Sequence, residues 1–177
     1  MKTNSSKNIK AAITAVGGFV PKDFISNQDL EKILDTTDEW ITSRTGIKKR
    51  HILKGKGKGT SYLAIKAAED LIKKSKINPD SIDLVIVSTI TPDYKGPATA
   101  VTVASEINAK NAYAFDLSAA CSGFLYGMST ASSFIESGRY KKVLLIGADK
   151  MSSVVDYSRR ETSILFGDGA GAVLVEP

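Results

Sequence analysis

Ala112-Tyr-Ala-Phe-Asp-Leu-Ser-Ala-Ala-Cys121-Ser-Gly-Phe124 carries the chain from a short apolar strand, Ala112 to Leu117, into a helix. Beyond the junction, Phe124, Leu125, Met128, Ala131 and Ile135 recur at helical spacing, and Gly138 ends the helix. Lys142 to Ala148 then supplies another near-continuous apolar strand. Strands joined through a connection this long read as parallel neighbours, because tight turns join only antiparallel ones. Cys121, the only cysteine of the chain, falls at the helix N-terminus. Unpaired backbone N–H groups and the positive end of the helix dipole gather there, favouring a nucleophilic thiolate, and the residue's own N–H is placed to stabilise an oxyanion.

The same alternation extends outward from this unit. Ile9 to Val16 reads as a first strand, ended by Gly17-Gly18 and Pro21. Capping-box spacing in Ser26-Asn-Gln-Asp29 and Thr36-Thr-Asp-Glu39 predicts helices over 27–34 and 37–44, the second closed by Gly46. A longer helix begins at Thr60 or Ser61, lines Ala64, Ala68, Leu71 and Ile72 along one face, and stops before Asn78-Pro79. Asp83 to Thr89 is a buried strand, and Pro97 is placed in the first turn of a helix carrying Ala100, Val103, Ala104 and Ile107. Ser163 to Val175 reads as two strands around a glycine-rich turn, adding an antiparallel member to the sheet. The class is α/β: a five-stranded mixed, mostly parallel sheet with helices on both faces. Residues 1–8 form a polar N-terminal tail, and 9–177 form one domain.

Leu117 to Ile135 holds nineteen residues without a formal charge, long enough for a membrane span. Five are serine and two are glycine, however, which fits a buried helix approached closely on every side. One five-stranded unit supplies only part of such an enclosure, so a partner chain or a second half of the protein is expected to supply the rest. A single cysteine forms no internal disulfide, and the polar start at Met1 to Asn8 has no apolar signal segment. These features point to a cytoplasmic setting without membrane insertion. The net charge of +5 comes from Lys48-Lys49-Arg50 and Lys54 to Lys58, not from a basic face interleaved with aromatics, which argues against nucleic acid. Lys54-Gly-Lys-Gly-Lys-Gly59 has neither Walker nor Rossmann spacing and is read as a surface loop.

Three separated motifs, Asp38-Glu-Trp-Ile-Thr-Ser-Arg-Thr-Gly-Ile47, Ala119-Ala-Cys-Ser-Gly-Phe124 and Phe166-Gly-Asp-Gly-Ala-Gly171, occur in order and spacing that resemble beta-ketoacyl-acyl carrier protein synthase III. The resemblance runs from about Ile9 to Glu176 and implies one half, the amino-terminal one, of a thiolase-like fold. It implies that Cys121 accepts an acyl group from acyl-CoA, acetyl-CoA or longer, and passes it to a carbanion formed by decarboxylating malonyl-acyl carrier protein. Such covalent catalysis needs no metal and no redox cofactor. The implied parent is a homodimer that starts fatty acid synthesis. Two alternatives stand beside it: a related condensing enzyme priming polyketide or other secondary-metabolite chains, and a non-catalytic half-subunit needing a separate carboxy-terminal partner.

Trp40 and Arg44 lie four apart on the predicted helix and share a face. Alone, the pair reads as a core tryptophan beside a solvated arginine. The resemblance assigns it, with Thr36, to coenzyme A, the ring stacking on adenine. Arg160 matches an arginine placed across the adenine, with Arg159 as the alternative one residue away. Phe124 and Gly96 are assigned to the acyl pocket. Gly96 stands where some members carry phenylalanine, in a loop that reaches a partner subunit, so primers longer than acetyl are expected to fit. The family's decarboxylating histidine and asparagine lie in a downstream half, expected to be absent from this chain. His51, the only histidine, is upstream of Cys121 and is expected to be exposed and non-catalytic. Gly167-Asp-Gly-Ala-Gly171 is expected to be structural.

Overall fold

The computed structural model describes residues 9–177; the polar tail expected over residues 1–8 lies outside them. In chain order the elements are β1 (Ala12–Phe19), β2 (Phe24–Ser26), α1 (Asn27–Glu31), α2 (Asp38–Thr45), β3 (Lys49–His51), α3 (Thr60–Ser75), β4 (Leu84–Ser88), α4 (Thr99–Glu106), β5 (Tyr113–Leu117), α5 (Gly123–Glu136), β6 (Val143–Lys150), α6 (Arg160–Ser163) and β7 (Asp168–Glu176). The main sheet has the order β1-β7-β6-β4-β5, and β2 and β3 form a separate antiparallel pair. The β6, β4 and β5 strands are parallel, and β7 runs against both β6 and β1. Four of the five strands therefore share one direction, as the long connections require.

The sheet is the middle of three layers. Val85 and Val87 of β4 face Ala64, Ala67, Ala68 and Leu71 of α3 and Ala100 and Val103 of α4. Leu84 and Ile86, alternating with them, pack with Ala131 and Ile135 of α5 on the opposite side. Each such apolar side chain, fully removed from water, contributes roughly 2 kcal/mol before entropy is counted. A third, smaller cluster of Leu30, Ile41 and Ile164, with Trp40 and Tyr157 against it, holds α1, α2 and the segment after α6 together.

Several expectations are corrected. The β1 strand starts at Ala12 and runs through Gly17-Gly18, because its pairing with β7 continues to Phe19 opposite Ala170. Gly17 is needed there. A Cβ at that position would lie 2.5 Å from the Ala67 carbonyl oxygen and from the Leu71 nitrogen of α3. Gly17→Ala is expected to lower stability by about 2 kcal/mol through overpacking, read as an earlier midpoint in urea unfolding.

Pro97 lies outside α4, which begins at Thr99. The Asp116 carboxylate on β5 accepts hydrogen bonds from the Thr99 and Ala100 N–H groups at 2.7 and 2.8 Å, so a distant acid fixes the helix start. The segment Ser163–Val175 is not two strands around a turn. It holds the end of α6 and a single long strand, whose glycines are carried by hydrogen bonding to neighbours on both sides. The helix predicted over 27–34 is shorter, ending at Glu31.

Leu125 is also misassigned by its periodicity. It is 69% exposed and Tyr126 is 59% exposed, while the buried stripe of α5 is Gly123, Gly127, Ala131 and Ile135. The reason is distance: a Cβ on Gly127 would lie 2.5 Å from Leu145 Cδ1 and 3.1 Å from Ser88 Oγ, so the helix meets the sheet by its smallest residues. One side of α5 is thus covered within the described residues, and the Leu125–Tyr126 side is open. No helix among the described residues is long and apolar enough to cross a membrane.

Candidate active site

The chain leaves β5 at Leu117 and reverses through a 3-10 turn, Ala120–Ser122, directly into α5. Ala120 makes this reversal at φ 46°, a left-handed conformation costing a non-glycine residue about 1–2 kcal/mol. The turn projects Cys121 outward: its thiol is free and exposed. The turn's own hydrogen bonds run from Ser122 N–H to Ala119 O and from Gly123 N–H to Ala120 O. No backbone or side-chain acceptor meets the Cys121 N–H among the described residues.

Cys121 opens into a cleft of about 330 Å³, lined also by Ser88, Phe124, Gly147, Asp149, Gly167 and Gly169 to Gly171. These residues sit at the carboxyl ends of β4 and β6 and at the adjoining start of β7, the usual position for ligands in open α/β sheets. A Cβ on Gly147 would stand 3.2 Å from the Phe124 ring, so glycine lets that ring lie against β6. Gly96, the other residue expected in the acyl pocket, is exposed and does not line this cleft. Its loop is held at its base by Asp149, whose Oδ1 accepts from the Thr89 hydroxyl, the Ile90 and Thr91 N–H groups and the Thr91 hydroxyl.

A second feature is built around Trp40. Thr37 caps α2 by accepting from the Trp40 N–H at 3.0 Å, and Gly46 ends the helix in the left-handed conformation. The half-buried indole is met by both predicted cations: the Arg44 guanidinium carbon is 4.3 Å from the ring centroid, and that of Arg160 is 4.9 Å. Arg160 also donates to the Asp35 carbonyl at 3.0 Å. Geometry therefore selects Arg160 over Arg159 as the partner of the ring. A purine between Trp40 and Arg160 needs two contact distances, about 7 Å in all, so Arg160 must swing out to admit one. The Thr36 hydroxyl is buried without a hydrogen-bond partner and is reached by a ligand only after movement. Ile33, Asp35, Ser158 and Arg160 border a groove of about 470 Å³ beside this platform.

Between platform and cleft lies a set of residues that the sequence alone does not reveal. Arg50 is buried, and its Nε and Nη2 donate to the Ile164 carbonyl at 2.8 and 2.6 Å while Nη1 donates to Asn27 Oδ1 at 2.5 Å. Burial pushes its pKa down. Asn27 in turn donates to Asp38, Thr42 and the Ile47 carbonyl, fastening both ends of α2. Asp168 is buried and accepts from the Leu53 N–H, the Ser152 N–H and the Ser152 hydroxyl at 2.6–2.7 Å, which gives the Gly-Asp-Gly motif its structural role. Tyr157 has its pKa raised by burial and by the nearby Asp168 carboxylate, with Arg50 opposing. His51 is not exposed as expected: it is half-buried, with Nδ1 2.6 Å from the Pro21 carbonyl oxygen, and it does not line the cleft.

The comparison with known proteins bears on what this arrangement is for. Residues 115–177 match the family model for 3-oxoacyl-[acyl-carrier-protein (ACP)] synthase III. Beta-ketoacyl-[acyl-carrier-protein] synthase III of Chlorobium chlorochromatii is 60% identical over 169 residues, covering 96% of this chain and 51% of the relative. Along nearly its whole length this chain is similar to one half of a beta-ketoacyl-[acyl-carrier-protein] synthase III. Among solved structures, 3-oxoacyl-[acyl-carrier-protein] synthase III from Aquifex aeolicus superposes with a TM-score of 0.90 at 49% identity, covering 94% of this chain and 54% of that one. The priming beta-ketosynthase of the R1128 polyketide pathway gives 0.91 at 37% identity, covering 97% and 51%. The chain spans about half the length of the synthase III relatives it matches. The family model begins within β5 and takes in Cys121, its helix and the Gly-Asp-Gly strand, whereas the Trp40 platform enters through the longer alignment.

Proposed function

We propose that this chain provides the acyl-accepting part of a beta-ketoacyl-acyl carrier protein synthase III. The observation that carries the reading is the exposed Cys121 thiol beside an unpaired N–H, in a cleft of the same chain that holds the Trp40–Arg44–Arg160 platform. In the proposed first step the Cys121 thiolate attacks the thioester carbon of an acyl-CoA. The oxyanion is met by the Cys121 N–H, the carbon–sulfur bond to coenzyme A breaks, and coenzyme A leaves as a thiolate that takes up a proton. In the second step malonyl-acyl carrier protein loses carbon dioxide, its carbanion attacks the acyl carbon, and the Cys121 thiolate departs. The thiol and the backbone carry the acyl transfer, and no cofactor is called for.

Trp40 and the two arginines suit the adenine and phosphates of coenzyme A, one by its flat apolar face and the others by charge. The family's homodimer finds support in β5, which ends the main sheet with an unpaired edge and exposes Tyr113. The 60% identity to a synthase III, against 37% to a priming ketosynthase, favours fatty acid initiation over the polyketide alternative. The direct test supplies acetyl-CoA and malonyl-acyl carrier protein to the natural polypeptide carrying these residues. Formation of a 3-ketoacyl-acyl carrier protein with release of coenzyme A is the expected result, and no product from any acyl-CoA contradicts the reading.

Gly96 enters the same proposal through the homodimer: it does not line the cleft of its own chain, and its exposed loop would close the partner subunit's acyl pocket. A Cβ at that position meets nothing within 4 Å, so a side chain is accepted without cost to the fold. Gly96→Phe is expected to lower the use of primers of about four to eight carbons relative to acetyl-CoA by roughly tenfold or more. Competition between the two primer classes measures it, and an unchanged ratio removes Gly96 from the acyl pocket.

A further inference from the structure

The platform and the thiol cleft are joined by one short stretch of chain, whose Ile164 side chain packs with Leu30 and Ile41 and whose Ile164 carbonyl is held by a buried arginine. Arg160, on the Trp40 ring, and Gly167, in the cleft wall, belong to the same segment. Between them the Ile164 carbonyl receives two N–H groups from Arg50. The third bond from Arg50 goes to Asn27, which fixes α2 and with it Trp40. On the cleft side, the backbone of His51, next along β3, backs directly on Gly167, where a Cβ would lie 2.9 Å from the His51 carbonyl oxygen. A buried guanidinium with only neutral acceptors is costly to place, and an apolar residue would fill the same space more cheaply. Its planar fork, however, ties α2, through Asn27, to the segment that runs into the cleft wall at one separation.

We propose that Arg50 is a positioning residue that sets the span between the Trp40–Arg160 platform and the Cys121 cleft, so that a ligand anchored at the platform delivers its thioester to the sulfur. This rests on the acyl-CoA reading of the two features. Arg50 touches neither the ring nor the thiol, and its effect is confined to substrates that use both. Asp168 differs, because its three hydrogen bonds hold the cleft wall itself.

The test compares two thioesters of the same acyl group on the natural full-length polypeptide: acyl-CoA, which reaches the platform, and acyl-pantetheine, which lacks the nucleotide. Arg50→Lys keeps the charge and the stem but loses the fork. It is expected to slow Cys121 acylation by acyl-CoA by about tenfold to a hundredfold, the scale of a small misplacement, and acylation by acyl-pantetheine by less than about threefold. Asn27→Ser, cutting the same link from its other end, is expected to show the same selective loss. Asp168→Asn is expected to slow both thioesters alike. Equal loss with both thioesters in Arg50→Lys or Asn27→Ser overturns the proposal, as does unfolding of both variants, which makes Arg50 a residue of the fold alone. An unsubstituted protein acylated by neither thioester refutes the acyl-CoA reading instead, so the two failures are distinct.

Discussion

Cys121→Ser is expected to reduce acyl-dependent release of coenzyme A by about 10⁴-fold or more. A hydroxyl at the same turn keeps the shape of the site, and the fold is expected to be unaffected because the side chain is exposed and packs in no core cluster. What is lost is the nucleophile: sulfur attacks a thioester carbon far more readily than oxygen does, and a serine hydroxyl depends on a general base positioned to take its proton. Stopped-flow detection of free coenzyme A measures the first turnover without requiring the condensation step. A variant retaining more than about a tenth of the rate would mean that another group accepts the acyl chain.

Arg50→Ala is expected to destabilise the protein by about 4 kcal/mol. Removing a long buried stem leaves a cavity, and the Ile164 carbonyl and Asn27 Oδ1 lose the donors that satisfy them. Against a typical total of roughly 5–15 kcal/mol, that is a large fraction. Urea unfolding is expected to show the midpoint falling by about 2 M if the slope is unchanged. A shift below about 0.5 M would show that water or a local rearrangement replaces the guanidinium.

These two residues mark what the sequence makes legible and what it hides. The strand-to-helix junction at Cys121 is local: an apolar strand, small turn residues and helical spacing occur within a few positions, and the structure places the thiol where they point. The parallel strands, the α3 helix and the left-handed Gly46 are legible for the same reason. Arg50 is not. It follows Lys48 and Lys49 and reads as one more solvated charge, while its main partner, Ile164, is 114 positions away. No local pattern separates it from the exposed lysines beside it.

The same physics explains the misplaced boundaries. Pro97 has the right geometry for a first helical turn, yet a carboxylate on β5 fixes the start of α4 beyond it. Leu125 keeps helical spacing with Phe124, Met128 and Ile135, but α5 approaches the sheet so closely that only Gly123, Gly127 and Ala131 fit under its first turns. Large side chains are a reliable sign of the buried face only where a helix sits at ordinary distance from its neighbour. Gly123, Gly127 and Ala131, four apart in this uncharged run, are the sequence signal for close approach and mark the buried stripe better than the leucine does, while the serines lie on its exposed and half-buried sides.

The pairing of Trp40 with Arg44 was visible from their spacing of four, whereas the choice between Arg159 and Arg160 needed the fold. Both arginines stand at the start of α6, and only the second lies over the indole. The buried Thr36 hydroxyl adds a detail that spacing cannot give, since a side chain of the right type at the right position is covered.

The most direct test of the central claim, that Cys121 is the acyl acceptor, is peptide-level mass spectrometry of the natural polypeptide quenched after brief exposure to acyl-CoA. The account predicts one acyl group on the peptide containing Cys121, removed when malonyl-acyl carrier protein is added. An acyl group on any other residue, or a Cys121 peptide left unmodified while coenzyme A is released, would contradict it.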